Sequence, residues 1–432
     1  RAGRRGAGQP VSGLPSCKAA GFERMVDLLR AQRTENVQSP ELDALKEYFG
    51  GDETYAETLD RILQRREERL SPEPFGSELA TAMYGTRPSM SASRLEQFGG
   101  CPFSQYLAYG LSARERREFT ENPADAGTFL HDALDAFVKE VLRSNTHWCD
   151  IGESEVESIL DTVLPPVIAE HNNGILINDV RQHEALFLRL RQLKRACLSI
   201  VEQTNAGSFT PMAGEYSFGR GGEKPLTLKL DNGRRVDLYG RIDRIDMAPG
   251  GVFRIVDYKM GGRSFDPTGL WYGQTLQLPL YLAAARRFGE GTGMYYMSLT
   301  PKANRDAEDP DILPLSGLTA SDDESVNAAQ SRLDGSSLVI AGLKRKKDGS
   351  ISGSTLRRKE LNDVVDAAIH TAETAASEIF RGEAAISPTE KACEYCPYSA
   401  VCRFDEQLEG CKVRHFEKLK LDELIALAGG EK

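Results

Sequence analysis

Basic residues are in the minority in this 432-residue chain: 54 lysines and arginines stand against 64 aspartates and glutamates, a net charge of −10. That balance excludes a surface coated in positive charge, though a local basic groove would suffice to bind a polyanion. Cysteine is also scarce, with eight, and no apolar stretch follows the basic, glycine-rich start "RAGRRGAGQPVSG". A secretion signal and a disulfide framework are therefore not expected, and a reduced, cytoplasmic setting is. No apolar run approaches the roughly 18 residues of a membrane span, so no membrane association is expected. The chain has no G-x-x-x-x-G-K-[ST] loop for nucleotide phosphates and no internal repeat.

What is present is ordinary globular material, 40% hydrophobic and 27% charged, long enough for two or three domains. The chain begins with Arg1 rather than Met, which predicts a fragment of a longer protein. Residues 1–90 read as a leader with its own helices, in "GFERMVDLLRAQ" and "YAETLDRILQRREERL". "SPEPFGSE" and "YGTRPSM" then mark a boundary with proline and glycine. From 91 to about 205 the pattern is helical. Ser91 or Ser93 could cap the first short helix, with Glu96 completing a capping box from Ser93.

The period then changes from helix to strand. "AGEYSFGR", "LTLKLD", "RRVDLYGRIDRIDM" and "GVFRIVDYK" alternate like strands and are separated by turn signals, including Asp231-Asn232-Gly233 and Pro249-Gly250-Gly251. "TLQLPLYLAAARRF" predicts a helix, "GMYYMSLT" a strand, residues 301–330 a loop, and "NDVVDAAIHTAETAASEIFRG" a late helix. The order predicts an α/β or α+β sheet built on an antiparallel meander, not a doubly wound repeat.

Four acids and a lysine interrupt the two most apolar strands, in "GRIDRIDMAPGGVFRIVDYKMGG". Charges there are costly unless paired or bound to a metal. Alternation puts Asp257 and Lys259 on one face, with Tyr258 turned away. If the two strands form a hairpin, Asp243 falls beside Asp257. Two close carboxylates call for a hard divalent cation such as Mg²⁺ or Mn²⁺, and a neighbouring lysine can stabilise charge on a phosphate. A salt-bridged strand pair would use the same residues. Asp246, three residues after Asp243, points to the opposite face and reads as structural. Gln277 and Tyr281 share a helix face at i and i+4, and His131 sits in "GTFLHDALDAF".

Cys393, Cys396 and Cys402 form C-x2-C-x5-C. A fourth ligand would come from Cys101, Cys411, Cys149, Cys197 or Cys17, of which Cys101, in a Gly-Gly-Cys-Pro turn, stands out. Such all-thiolate sites take Zn²⁺ or an iron–sulfur cluster. Cys101 and Cys393 are 292 positions apart, and closing so long a loop removes roughly 5 kcal/mol of unfolded-state freedom.

"GTFLH", "GRID", "VDYK" and "QLPLY", in this order, resemble the RecB-type nuclease motifs of the PD-(D/E)XK superfamily. The resemblance implies a restriction-endonuclease-like α/β core, a central mixed sheet flanked by helices. It further implies that His131, Asp243, Asp257 and the carbonyl of Tyr258 bind Mg²⁺ and that Lys259 is catalytic. Gln277 and Tyr281 would match the family's Q-x-x-x-Y helix near the DNA backbone, and Glu215 in "GEYSF" is similar to the acid of its first core strand. "SASRLEQFGGCPFSQYLAYGL" and "CEYCPYSAVCRFD" resemble the AddB (RexB) family of helicase–nuclease subunits. In iron-staple nucleases of this kind, a 4Fe-4S cluster on a lone upstream cysteine and a downstream trio joins the ends of the nuclease domain. That resemblance implies Cys101, Cys393, Cys396 and Cys402 as the cluster ligands.

The implied organisation is the tail of a helicase-like region and a linker (1–90), a nuclease domain (91–410) and a C-terminal tail (411–432). Within the nuclease domain, a helical block spans 91–205, a catalytic core 206–390 and the cysteine cluster 393–402. The implied activity is exonucleolytic cleavage of DNA single strands from an unwound duplex. An AddA-like helicase–nuclease subunit would be the heterodimer partner, in double-strand-break repair by homologous recombination. The alternatives are a stand-alone iron–sulfur nuclease of the CRISPR-associated kind and a non-catalytic, cluster-stapled DNA-binding module. Lys344, Arg345, Lys346 and Lys347, with "LRRKE" nearby, flank a Gly/Ser-rich stretch resembling a hairpin tip and are a candidate DNA contact.

Overall fold

The computed structural model describes residues 17–35, 39–67, 73–115, 123–171, 180–300, 312–406 and 411–430. The chain divides into two compact units. The first gathers three stretches: the chain up to Pro74, Cys101–Ser104 and Ala384–His415. Its helices α1 (Lys18–Glu35), α2 (Pro40–Gly50) and α3 (Ala56–Glu67) bury Met25, Leu29, Leu42, Phe49 and Leu59 in a small core of their own.

The second unit holds Phe75–Gly100, Gln105–Glu383 and Phe416–Lys432. It opens with α4 (Ser77–Tyr84), β1 (Ser89–Met90) and α5 (Ala92–Gly100); the short α6 (Pro102–Gln105) that follows in the chain lies mostly in the first unit. Ser91 Oγ accepts from the Arg94 amide at 3.3 Å, so Ser91 rather than Ser93 caps α5. The expected helical block is α7 (Pro123–Ser144), α8 (Glu153–Glu170) and α9 (Val180–Asn205).

Strands β2 (Thr210–Phe218), β3 (Leu226–Lys229), β4 (Arg235–Leu238), β5 (Gly240–Ala248) and β6 (Val252–Lys259) come next. They are followed by α10 (Pro267–Trp271), α11 (Gln277–Ala285), β7 (Glu290–Ser298), β8 (Leu315–Ala320) and α12 (Asp323–Ala329). Short strands β9 (Gly335–Ser336), β10 (Lys344–Arg345), β11 (Ile351–Ser352) and β12 (Thr355–Leu356) lead into α13 (Arg358–Arg381); α14 (Ser399–Cys402) belongs to the first unit and α15 (Leu421–Ala428) to the second.

The main sheet has six strands in the order β12-β8-β7-β6-β5-β2. It is mixed: β5 is antiparallel to both β2 and β6, whereas β6 and β7 run parallel. The parallel pair follows from chain path, because α10 and α11 carry the chain back between them. Alternation divides the core into two layers. Phe253, Ile255, Met294 and Tyr296 face one layer with α5, α11 and α13, while Val252, Val256, Tyr258, Tyr295 and Met297 face the other with α7, α8 and α9.

Two expectations are corrected. The run "RRVDLYGRIDRIDM" is not one strand, since it breaks at Tyr239, and the meander splits with it. β4 joins β3 and β1 in a separate three-stranded sheet, while β5 joins the main one. The hinge is steric: a Cβ on Gly240 would sit 2.8 Å from the Phe218 and Tyr281 rings, so glycine is required where the chain changes sheets. The expected loop 301–330 also contains β8 and α12; residues 301–311 lie outside the described residues. Asp322 starts α12 by accepting from the Ser325 amide at 3.0 Å and pairing with Arg358 at 2.8 Å.

Asp246 is structural. It is fully buried opposite Arg254 in the β5–β6 register and lies 2.7 Å from Arg254 Nε and 2.9 Å from Arg244 Nε. Arg244 also donates to Gln203 at 2.8 Å, which ties β5 to α9. Removing the one acid would strand two buried guanidinium groups. Asp246→Ala should cost about 3–5 kcal/mol of unfolding free energy, read by urea denaturation; a loss below about 1 kcal/mol, the size of an exposed ion pair, would refute this.

Candidate active site

The β5–β6 ladder ends at the Arg244–Val256 pair, and beyond it the two strands part. Asp243 and Asp257 stand at that fork, 7% and 1% exposed. Asp243 Oδ2 accepts from the Tyr258 amide at 2.7 Å, which holds the fork at a fixed width. His131, from α7, places Nδ1 3.3 Å from Asp243 Oδ1. Lys259 Nζ lies 2.5 Å from Asp257 Oδ2 and donates to Gln277 Oε1 at 3.0 Å. Gln277 in turn reaches the Tyr281 hydroxyl at 3.4 Å, one helical turn along α11.

Glu215 lies on β2 between two residues whose partners, Arg244 and Ile242, flank Asp243. Its backbone is left-handed, with φ of 41°, a conformation that costs a non-glycine residue of order 1 kcal/mol or more. Arg241 pairs with Glu215 Oε2 at 2.8 Å, while Oε1 is buried without a partner. The structure thus brings together His131, Glu215, Asp243, Asp257, Lys259, Gln277 and Tyr281. The Tyr258 ring is buried on the opposite face, as alternation requires, and fits the layer formed by α7–α9.

The electrostatics are those of crowded acid. Burial, and then the charge of Asp243, push the Asp257 carboxyl up to about 7 against the pull of Lys259 and His131. Neither Asp257 oxygen accepts a well-aligned hydrogen bond. Burial, together with the charges of Asp135, Asp132 and Asp243, raises Glu215 to about 7 although Arg241 opposes it. Burial would lower His131, but Asp243 and Asp257 overcome it and raise its pKa. Among the described residues, no three His, Cys, Asp or Glu side chains lie grouped as a ready metal site. Instead the acids are held by His131, Lys259 and the Tyr258 amide.

Glu96 meets the first turn of α11, the helix that carries Gln277 and Tyr281. It forms no capping box with Ser93; its Oε1 accepts from the amides of Leu276 and Gln277 at 2.7 and 2.8 Å. No local pattern announces a partner 181 positions away. The basic run folds as the expected hairpin, with β10 antiparallel to β11. Lys344, Lys346 and Lys347 are exposed at it, whereas Arg345 pairs with Asp323 at 2.9 Å.

In the first unit, Cys101, Cys393, Cys396 and Cys402 line one pocket, with Phe103 and Tyr398 among its walls. The Phe103 amide donates to the Ala385 carbonyl at 3.1 Å, which helps bring the two stretches together. Burial and the neighbouring Cys101, Cys396 and Cys402 thiols raise the Cys393 thiol. Cys411, Cys149, Cys197 and Cys17 do not line this pocket, and none of the eight cysteines forms a disulfide.

A mixed sheet flanked by helices, with paired acids and a lysine at a strand fork, defines a PD-(D/E)XK-type nuclease fold. The superfamily's sequence profile matches residues 89–403, and the chain belongs to the PD-(D/E)XK nuclease superfamily. It is similar to proteins named as one subunit of an ATP-dependent helicase/deoxyribonuclease. The Clostridioides difficile protein is 30% identical over 96% of this chain and 39% of its own length. The Moorella thermoacetica protein is 34% identical over 82% and 33%, and that of Clostridium acetobutylicum 33% identical over 81% and 32%. The chain therefore spans a third to two fifths of the curated relatives it matches. Among the described residues, no helix is long and apolar enough to cross a membrane.

The raised carboxyl of Asp257 has a measurable sign. Its folded value of about 7 lies above the ordinary carboxyl value, so the folded state keeps a proton that the unfolded chain releases near pH 4. Ionisation thus costs no stability below about pH 4, increasingly more up to about pH 7, and its full amount above. In the metal-free protein, Asp257→Asn should raise the melting temperature at pH 8 and leave it nearly unchanged at pH 4. An equal shift at both pH values would remove carboxylate crowding as its cause.

Proposed function

We propose that this chain is the nuclease portion of a helicase–nuclease subunit and hydrolyses DNA phosphodiesters with Mg²⁺ or Mn²⁺. The observation that carries this reading is the fork itself, with two buried carboxylates and a lysine held from two sides. Buried carboxylate oxygens lacking well-aligned donors are the donor set a hard cation takes. Asp243, Asp257, His131 and the Tyr258 carbonyl would hold the ion, with Glu215 beside them. When bound, such an ion polarises a phosphodiester oxygen and lowers the pKa of water.

The remaining work falls to the chain's own groups. Lys259, fixed between Asp257 and Gln277, offsets negative charge growing on the phosphate. Gln277 sets the direction of that ammonium group and, with Tyr281, offers polar groups to the DNA backbone beside it. The Asp243–Tyr258 hydrogen bond keeps the carboxylates at fixed spacing, so little reorganisation is needed when the substrate arrives.

The names of the relatives support a setting in which a helicase feeds the site. In this reading the substrate is a DNA single strand from an unwound duplex, degraded exonucleolytically. The partner is an AddA-like helicase–nuclease subunit in a heterodimer, and the process is double-strand-break repair by homologous recombination. Exposed Lys344, Lys346 and Lys347 would add phosphate contacts. Asp257→Ala and Lys259→Ala should each lower Mg²⁺-dependent cleavage of single-stranded DNA by at least about 100-fold and leave the circular dichroism spectrum intact. A double mutant that still cuts would overturn the site.

We further propose that Cys101, Cys393, Cys396 and Cys402 hold a 4Fe-4S cluster. Four thiols lining one pocket are a soft donor set, suited to such a group. An anaerobic preparation should be brown, with about four irons per chain, and Cys101→Ala should lose both colour and several degrees of melting temperature. Stoichiometric zinc, or an unchanged iron content in Cys101→Ala, would overturn the assignment.

A further inference from the structure

The helix carrying Gln277 and Tyr281 starts badly by its own sequence. The N-cap of α11 is Leu276, whose side chain offers no oxygen to the unpaired amides of the first turn. The missing acceptor comes from another helix. Glu96 of α5 takes the Leu276 and Gln277 amides on a single carboxylate oxygen, at 2.7 and 2.8 Å. A carboxylate there also meets the positive end of the helix dipole.

The helix that supplies this acceptor is itself firmly seated. The Gly99 α-carbon packs so closely on the turn before α11 that a Cβ would lie 2.3 Å from the Gly273 carbonyl oxygen. Leu95 and Phe98, on either side of Glu96, are buried in the layer that also contains Leu276, Leu278 and Leu280. A continuous chain of contacts then runs to the fork. Glu96 holds the Gln277 backbone, Gln277 Oε1 takes Lys259 Nζ at 3.0 Å, and Lys259 lies 2.5 Å from Asp257.

We infer that Glu96 is a positioning residue of the nuclease site, fixing Lys259 through the first residue of α11. The inference rests on Lys259 being the catalytic lysine. Glu96 touches no reacting atom; it sets where Gln277 begins, and therefore where the ammonium group points. A carboxamide can replace it, because one acceptor oxygen is all that the two amides use. A shorter side chain cannot reach.

Three variants test this. Glu96→Gln should keep kcat on single-stranded DNA within about threefold of the parent, while Glu96→Ala and Glu96→Asp should lose roughly 10- to 100-fold, the cost of an ångström-scale misplacement. KM should change little in all three. In a Gln277→Ala background, Glu96→Ala should cost nothing further, because the two residues act in series. Amide hydrogen exchange at Leu276 and Gln277 should quicken in Glu96→Ala and Glu96→Asp but not in Glu96→Gln.

Parent-like kcat in Glu96→Asp, a loss that multiplies with that of Gln277→Ala, or unchanged exchange at both amides would each overturn the inference. If Glu96→Ala does not fold, the Asp and Gln variants decide it. A parent protein inert toward single-stranded DNA would overturn the nuclease reading instead; exchange at the two amides would still decide the anchor.

Discussion

Everything at the proposed site depends on where β5 and β6 stop pairing. Past Arg244 and Val256 the ladder opens, and two carboxylates occupy the gap that backbone hydrogen bonds would have filled. Had pairing continued, the Tyr258 amide would serve the ladder; instead it serves Asp243. The gap is unfavourable in itself, since it places like charges close together away from water. Asp257 expresses this as a carboxyl that holds its proton to about pH 7. Such a locally destabilised arrangement persists only when its surroundings are rigid enough to impose it.

The rigidity comes from the other face of the same strands. Asp246 sits between Arg244 and Arg254 on the side away from the fork, fully buried. Ion pairs of this kind contribute little net stability over apolar packing, yet they tolerate few alternative arrangements. They pin the β5–β6 register across the last three pairs before the strands separate. A slip by one residue would exchange the two faces, burying the fork acids among the aromatics and opening the arginine pair to the active-site side.

Much of this was readable by counting. Period two put Asp257 with Lys259 and Tyr258 against them, and a helical spacing of four joined Gln277 to Tyr281. The Pro249-Gly250-Gly251 turn brought the Asp243 and Asp257 segments together. What escaped reading was nonlocal. Tyr239 breaks a run whose alternation passes straight through it at Val236, Leu238 and Ile242, because the reason lies in the Phe218 and Tyr281 rings packed against Gly240. β8 and α12 were hidden by the polar composition around them. Glu96 reads as a capping-box acid because a nearby serine at the right spacing offers a plausible local partner. Its actual partners are set by the packing of α5 on the turn before α11.

The two proposed inorganic sites also separate by chemistry. Oxygen donors at the fork suit a small hard cation, while the thiols around Cys393 suit a soft one. Mg²⁺ gains little from thiolates, and a carboxylate fork offers an iron–sulfur cluster no sulfur. Each site therefore discriminates against the other's occupant without a gate. The other four cysteines lie apart from the Cys393 pocket: Cys197 and Cys411 are buried elsewhere, and Cys17 and Cys149 are exposed. In the proposed assignment the four ligands are the thiols that the fold brings to one pocket.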